Sequence, residues 1–270
     1  MAPILFHFGH LAIPTYGVCT ALALLAALAL SVSRARRLGL RSDKIWNLGL
    51  LAILVALLGA RLLLVLLHPH AFRVHPLWVL GLATIHSPWI ALGGVAIGIA
   101  AAILYALAEG LPLLRTLDAL APAAALAFAV NRIGAFCGGA AWGTPTHLPW
   151  GVTYHSVVAY FWYQVPLGVR LHPVQLYDAA LSLAILALLL VIRRRPGFFA
   201  FDGEVAGAWL FLYGLGRFFL EFLRGDPARV PLLGGALTQA QVLAMAAVVI
   251  GCALWLRRTP ARKPVPLQPL

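Results

Sequence analysis

Residues 46–67 read WNLGLLAILVALLGARLLLVLL. Apart from Arg61 the stretch carries no charge, and it meets the roughly 20 apolar residues that a helix needs to cross a bilayer. Six further stretches have the same character: 13–33, 88–108, 117–135, 173–192, 205–223 and 237–256. The composition agrees. Hydrophobic residues make up 62% of the 270, charged residues only 10%, and the mean hydropathy is +0.93. A soluble domain has about 25% charged residues. The fold class expected is an all-α polytopic membrane protein with seven transmembrane helices.

The net charge of +12 would suggest nucleic acid as the partner of a soluble basic protein. Here the basic residues flank apolar runs instead, so no nucleic acid is expected. Arg34, Arg36, Arg37, Arg41 and Lys44 follow the first stretch, Arg115 the third, and Arg193, Arg194 and Arg195 the fifth. Arg257, Arg258, Arg262 and Lys263 follow the seventh, while the alternate loops hold only Arg73, Arg170, Arg224 and Arg229. The positive-inside rule then puts the N-terminus outside and the C-terminus in the cytoplasm. Residues 1–258 are expected to form one membrane domain. Within it, 136–172, with its Gly, Pro, Thr, Trp and Tyr, reads as a small irregular outer-face head. Residues 71–86 read as an outer-surface loop, and the Pro-rich 259–270 as a disordered cytoplasmic tail. The first residues have no basic n-region, so a cleaved signal peptide is not expected. The three cysteines, Cys19, Cys137 and Cys252, have no metal-site or disulfide spacing.

Arg61, Arg132 and Arg217 fall inside apolar stretches. A guanidinium there costs about 2.5–3.5 kcal/mol on insertion scales, so it faces a protein interior or polar cavity and has a partner. Three of them suggest a site for an anion. Arg132 stands in Asn131-Arg132-Ile133-Gly134, ahead of Gly138-Gly139-Ala140-Ala141-Trp142-Gly143. Its planar fork suits a phosphate, and the glycines permit close backbone approach; snorkelling to the interface is the competing reading. Arg217 and Glu221 are four apart and share a helix face, either as a structural ion pair or as part of the anion site, with Arg224 one turn on. His172-Pro173-Val174-Gln175-Leu176-Tyr177-Asp178 opens the fifth stretch, where Gln175 and Asp178 read as helix–helix hydrogen-bonding groups. Tyr16 is either an interfacial aromatic or a pocket hydroxyl.

Taken together, these motifs resemble the bacterial prolipoprotein diacylglyceryl transferases. The resemblance runs in order along nearly the whole chain: Tyr16-Gly17, Gly59-Ala60-Arg61, Asp118 through Pro122, Arg132-Ile133-Gly134 with Trp142-Gly143, His172-Pro173 with Gln175-Leu176-Tyr177, and Tyr213-Gly214 with Arg217, Glu221 and Arg224. It implies transfer of the diacylglyceryl group of phosphatidylglycerol to the lipobox cysteine of a preprolipoprotein signal peptide, in the bacterial inner membrane. No metal or nucleotide cofactor is implied. Arg132 and Arg217 would bind phosphate and act catalytically with Tyr16 and His172. Gly134, Gly143, Tyr213, Glu221 and Arg224 would complete the phosphatidylglycerol site.

The chain departs from the family pattern at Ala135, Gly138 and Ala140, where polar residues are usual. Leu92, before Gly93-Gly94, stands where the family places a His or Tyr. The proton acceptor is therefore expected elsewhere, with His86, His172 and Tyr16 as candidates. Two other readings fit the same residues: a paralogue with a lipid pocket and changed or lost chemistry, and an anion or lipid transporter. The absence of inverted repeats and of paired broken spans weighs against the transporter.

Overall fold

The computed structural model describes residues 2–8, 11–70, 88–192 and 201–257. The loop 71–86 with His86, the basic run 193–195 and the tail 259–270 lie outside the described residues. Seven helices are long and apolar enough to cross a membrane: α1 (Thr15–Arg37), α2 (Ser42–Leu67), α3 (Pro88–Ala108), α4 (Leu113–Gly138), α6 (Val174–Ile192), α7 (Glu204–Leu220) and α8 (Gln239–Leu256). A short helix, α5 (Val157–Tyr163), lies between α4 and α6. The strands form three two-stranded antiparallel ribbons: β1 (Ile4–Phe8) with β2 (Leu11–Pro14), β3 (Val152–Thr153) with β4 (Arg170–Leu171), and β5 (Pro231–Leu232) with β6 (Leu237–Thr238). The chain is a multi-pass membrane protein.

The helix ends differ from the sequence expectation where a local device moves them. α4 begins at Leu113 and runs to Gly138, three residues past the expected end, and takes Pro122 into its interior. Gly139 then turns the chain at φ 88°, a conformation that glycine adopts without a Cβ penalty. α7 passes at Glu221–Leu223 into a 3-10 turn. α8 starts at a capping box, in which the Thr238 hydroxyl accepts from the Gln241 backbone and the Gln241 side chain accepts from the Thr238 backbone.

The chain forms two compact units, Met1–Arg34 with Leu117–Leu270, and Ala35–Thr116. In the smaller, α2 packs on α3 through small residues. A Cβ on Gly94 would meet Ala60 and the Ala56 carbonyl, and one on Gly98 the Ala52 carbonyl and Ala56. This is the small-residue contact by which membrane helices approach without a hydrophobic driving force between them. Lys44 bonds the Glu109 carboxylate at 2.9 Å and the Glu109 carbonyl, joining the start of α2 to the chain just beyond α3. Leu58, Leu62 and Leu66 point outward from α2, as a lipid-facing surface requires.

In the larger unit, α7 and α8 approach in the same manner through Gly207, Gly214 and Gly251. Asp118 of α4 accepts hydrogen bonds from the Gly203 and Ala206 backbones at 2.8 and 2.9 Å. A carboxylate from one helix thereby caps the N-terminus of another, satisfying donors that have no intrahelical partner. Ile185 and Leu189 of α6 pack with Ala121 and with Val205, Ala206 and Ala208 of α7. The distribution is inverted relative to a soluble protein: Asp118, Asp178, Ser182 and Glu221 are buried while Leu215, Val249 and Ile250 are exposed.

Residues 136–172 hold short elements of regular structure. They contain the end of α4, α5 and the β3–β4 ribbon around a small core of Tyr154, Ala159, Val165 and Leu171. The Trp142 indole donates to the Tyr163 carbonyl at 3.0 Å.

Candidate active site

α4, α6 and α7 each send a charged side chain to one place in the larger unit. Arg132 Nε lies 2.7 Å from Asp178 Oδ2, and Arg217 Nε lies 3.9 Å from the same oxygen. Arg217 also bonds Glu221 at 2.6 Å, the pairing expected from their spacing. Glu221 is fully buried and accepts in addition from Arg224 at 3.1 Å and from the Thr238 hydroxyl at 3.1 Å, with Arg229 3.6 Å away. Arg224 makes two further bonds to Asp226, at 2.8 and 2.7 Å. Buried charges are tolerated in this form, each paired and hydrogen-bonded. The Asp226 carboxylate, with Glu221, raises the Arg224 guanidinium above its ordinary range against the cost of burial.

A small, partly open cavity of about 10 Å3 is lined by Arg132, Ala141, Val174, Gln175, Asp178, Arg217 and Arg224. Its charged lining is three guanidiniums and one carboxylate. Arg132 Nε, Arg217 Nη1, Asp178 Oδ1 and Gln175 Oε1 are buried there without hydrogen-bond partners among the described residues. The 2.7 Å contact of Arg132 Nε with Asp178 is thus an ion pair without hydrogen-bond alignment. Buried polar atoms in this state ordinarily find a partner, and here they border one cavity.

Arg132, Arg217 and Arg224 of the sequence-derived set line the cavity, and the rest support it. Tyr213 is stacked on Phe128, with centroids 4.9 Å apart, and Trp209 stacks on both. This fixes its ring beside Arg132. Tyr16 packs edge-on against Tyr163, at 6.4 Å. Gly134 and Gly138 sit one turn apart on α4 at the Tyr16 end of α1: a Cβ on Gly134 would meet Cys19 and Tyr16, and one on Gly138 would meet Tyr16 at 3.3 Å. Gly134 is therefore a packing position. Asn131 donates to the Thr20 hydroxyl at 2.9 Å, a second tie between these helices.

Gly143 is a positioning residue of another kind. It bridges to Arg224 in antiparallel register. The Thr144 N–H donates to the Leu223 carbonyl, and the Gly225 N–H to the Trp142 carbonyl, at 2.8 and 3.0 Å. A Cβ at Gly143 would collide with the His172 carbonyl. The head segment thus aligns the strand that carries Arg224. His172 stands at the corner between β4 and α6, its ring 6.3 Å from Tyr177, and does not line the cavity. Its Nδ1 is buried without a hydrogen-bond partner among the described residues.

Two features escape sequence reading. Asp178 reads there as a helix–helix group, yet it lies at the centre of the guanidinium cluster; only Gln175 behaves as a structural hydrogen-bonder, donating to the Ala140 carbonyl at 2.7 Å and to the Tyr154 phenol at 3.2 Å. Ala141 lines the cavity at φ 53°, a left-handed conformation that costs about 1–2 kcal/mol for an L-residue. Asp178 was findable from the rule that a buried arginine needs a buried acid.

The chain is 31% identical over 253 residues to the phosphatidylglycerol–prolipoprotein diacylglyceryl transferase of Clostridium tetani, covering 93% of this chain and 95% of the relative. It is 35% identical over 288 residues to the protein of the same name from Parasynechococcus marenigrum, with 97% and 96% covered. The family profile for prolipoprotein diacylglyceryl transferase matches residues 3–257, nearly the whole chain, and this chain belongs to that family.

Proposed function

We propose that this chain transfers the diacylglyceryl group of phosphatidylglycerol to the thiol of a lipobox cysteine in a preprolipoprotein, the first step of bacterial lipoprotein maturation. The observation that carries this reading is the cavity bordered by Arg132, Arg217 and Arg224 with a single carboxylate, Asp178. A phosphodiester becomes a phosphate monoester as the glycerol carbon–oxygen bond breaks. Guanidiniums aimed at the departing phosphate stabilise the charge that develops there. The incoming sulfur attacks as thiolate. Asp178 pairs with Arg132, and Glu221 holds Arg217 and Arg224, so the cations are in place before the lipid arrives.

In this reading the protein lies in the inner membrane, with residues 136–172 and the cavity toward the outer face and the Arg34–Lys44 basic cluster toward the cytoplasm. Single cysteines at Trp150 and Arg36, in a background without Cys19, Cys137 and Cys252, test the orientation: a membrane-impermeant maleimide should label only the first in intact cells.

Purified protein, phosphatidylglycerol and a lipobox peptide test the activity, with an active relative run beside it. A thioether-linked diacylglyceryl peptide is expected. Its absence, with the relative active, would favour the paralogue that retains the lipid pocket and has lost this chemistry.

A further inference from the structure

We propose that Asp178 is the general base that removes the proton from the attacking thiol, an inference that rests on the transferase reading above. Three observations converge on it. Asp178 is the only carboxylate among the residues lining the cavity. Its Oδ2 is held by Arg132 at 2.7 Å, while Oδ1 is buried without a hydrogen-bond partner among the described residues. Glu221, the other buried carboxylate of the cluster, is saturated by Arg217, Arg224 and Thr238 and does not line the cavity. His172 stands outside the lining. Leu92 has no proton-accepting atom.

The groups around Asp178 are Arg132 from α4, Arg217 and Tyr213 from α7, and Gln175 on its own helix, with Arg224 also in the lining. Without lipid, the guanidiniums of Arg132 and Arg217 lie 2.7 and 3.9 Å from its Oδ2. A seated phosphodiester competes for the same guanidiniums and draws them from the carboxylate. The carboxylate then takes the S–H proton. The sulfur electron pair forms the new S–C bond to the glycerol carbon of the diacylglyceryl group. The C–O bond to phosphate breaks, with its electrons going to the phosphate oxygen. The proton on Asp178 passes to the departing glycerol phosphate, and the carboxylate returns to Arg132. No oxidant, metal or further reactant is needed.

The test compares two lipobox peptides on the full-length protein with phosphatidylglycerol in detergent: one with cysteine, the other with selenocysteine, whose selenol is ionised at neutral pH. A general base contributes about 10²–10⁴-fold, so Asp178→Asn should lose that much on the cysteine peptide, and its residual rate should climb with pH as the thiol ionises in solution. On the selenocysteine peptide the same variant should approach wild type, because no proton has to be removed. Equal loss on both peptides would show that Asp178 only positions Arg132, and an unimpaired rate on cysteine would show that it is dispensable; either overturns the proposal. If Asp178→Asn is not monodisperse, Asp178→Ser carries the same comparison: loss on cysteine with recovery on selenocysteine supports it, and equal loss or an unimpaired rate on cysteine overturns it. Failure of the transferase reading looks different, since wild type would then modify neither peptide.

Discussion

Arg132 and Asp178 meet at 2.7 Å across the boundary between α4 and α6, and Arg217 of α7 reaches the same carboxylate oxygen at 3.9 Å. One buried acid thus gathers cations from two other helices, and the cavity forms where they converge. Arg224 joins them from beyond α7, held by Glu221 and Asp226. The site is assembled by tertiary charge pairing rather than by a contiguous motif.

Arg132→Lys and Arg217→Lys keep the charge and lose the planar fork, and the two residues are not interchangeable where several oxygens are to be held. Loss of one preorganised donor costs about 10²–10³-fold in turnover. Rates of thioether formation at saturating peptide should fall by that factor for each variant. A rate within threefold of wild type for both would remove the guanidiniums from the reaction.

Glu221→Gln leaves Arg217 without its short carboxylate partner, while Arg224 retains Asp226. Removing one partner of a buried ion pair costs about 3–5 kcal/mol, because the remaining charge stays buried. A clear drop in the thermal unfolding midpoint in detergent is expected, together with loss of activity. An unchanged midpoint would mean that Glu221 is not structural.

Gly143→Ala should affect the site through Arg224. The added methyl meets the His172 carbonyl and Val174, so the bridge to Arg224 must open. Activity should fall at least tenfold, about 1.4 kcal/mol of lost transition-state stabilisation, with the helical circular dichroism retained. Gly168→Ala serves as the contrast: a methyl there meets no neighbour within 4 Å, and its cost is confined to the local left-handed backbone.

Tyr154 provides a pH signature in the head segment. Burial pushes its phenol up to about 12, against an ordinary value of about 10. A raised value means that the fold favours the neutral phenol. Its contribution to stability is complete below about 10 and is lost as pH rises through about 12. Tyr154→Phe removes the acceptor of the Gln175 amide and should cost about 1 kcal/mol at neutral pH. The variant should also lose part of the alkaline fall in stability between those values. An identical alkaline profile in the two proteins would contradict this assignment.

The seven spans were legible because each is a long apolar run with few charges, and hydrocarbon leaves a chain little choice but to satisfy its backbone as a helix. Their ends were less legible. The extra turn of α4 depends on Gly139, and the start of α7 on a carboxylate from α4. The Arg217–Glu221 pair was readable from helical spacing alone. Asp178 was not, because its partners come from other helices.

By itself, the sequence determined that the chain spans a membrane, that its arginines there require acidic partners, and that its motifs follow one family in order. Local periodicity and the cost of charge in hydrocarbon suffice for that. Only the tertiary structure decided which acid serves which arginine, that Gly134 and Gly143 act by close packing, and that one oxygen of Asp178 is buried without a hydrogen-bond partner among the described residues. Those outcomes depend on how helices distant in sequence rotate and approach, which a single strand of residues does not encode locally.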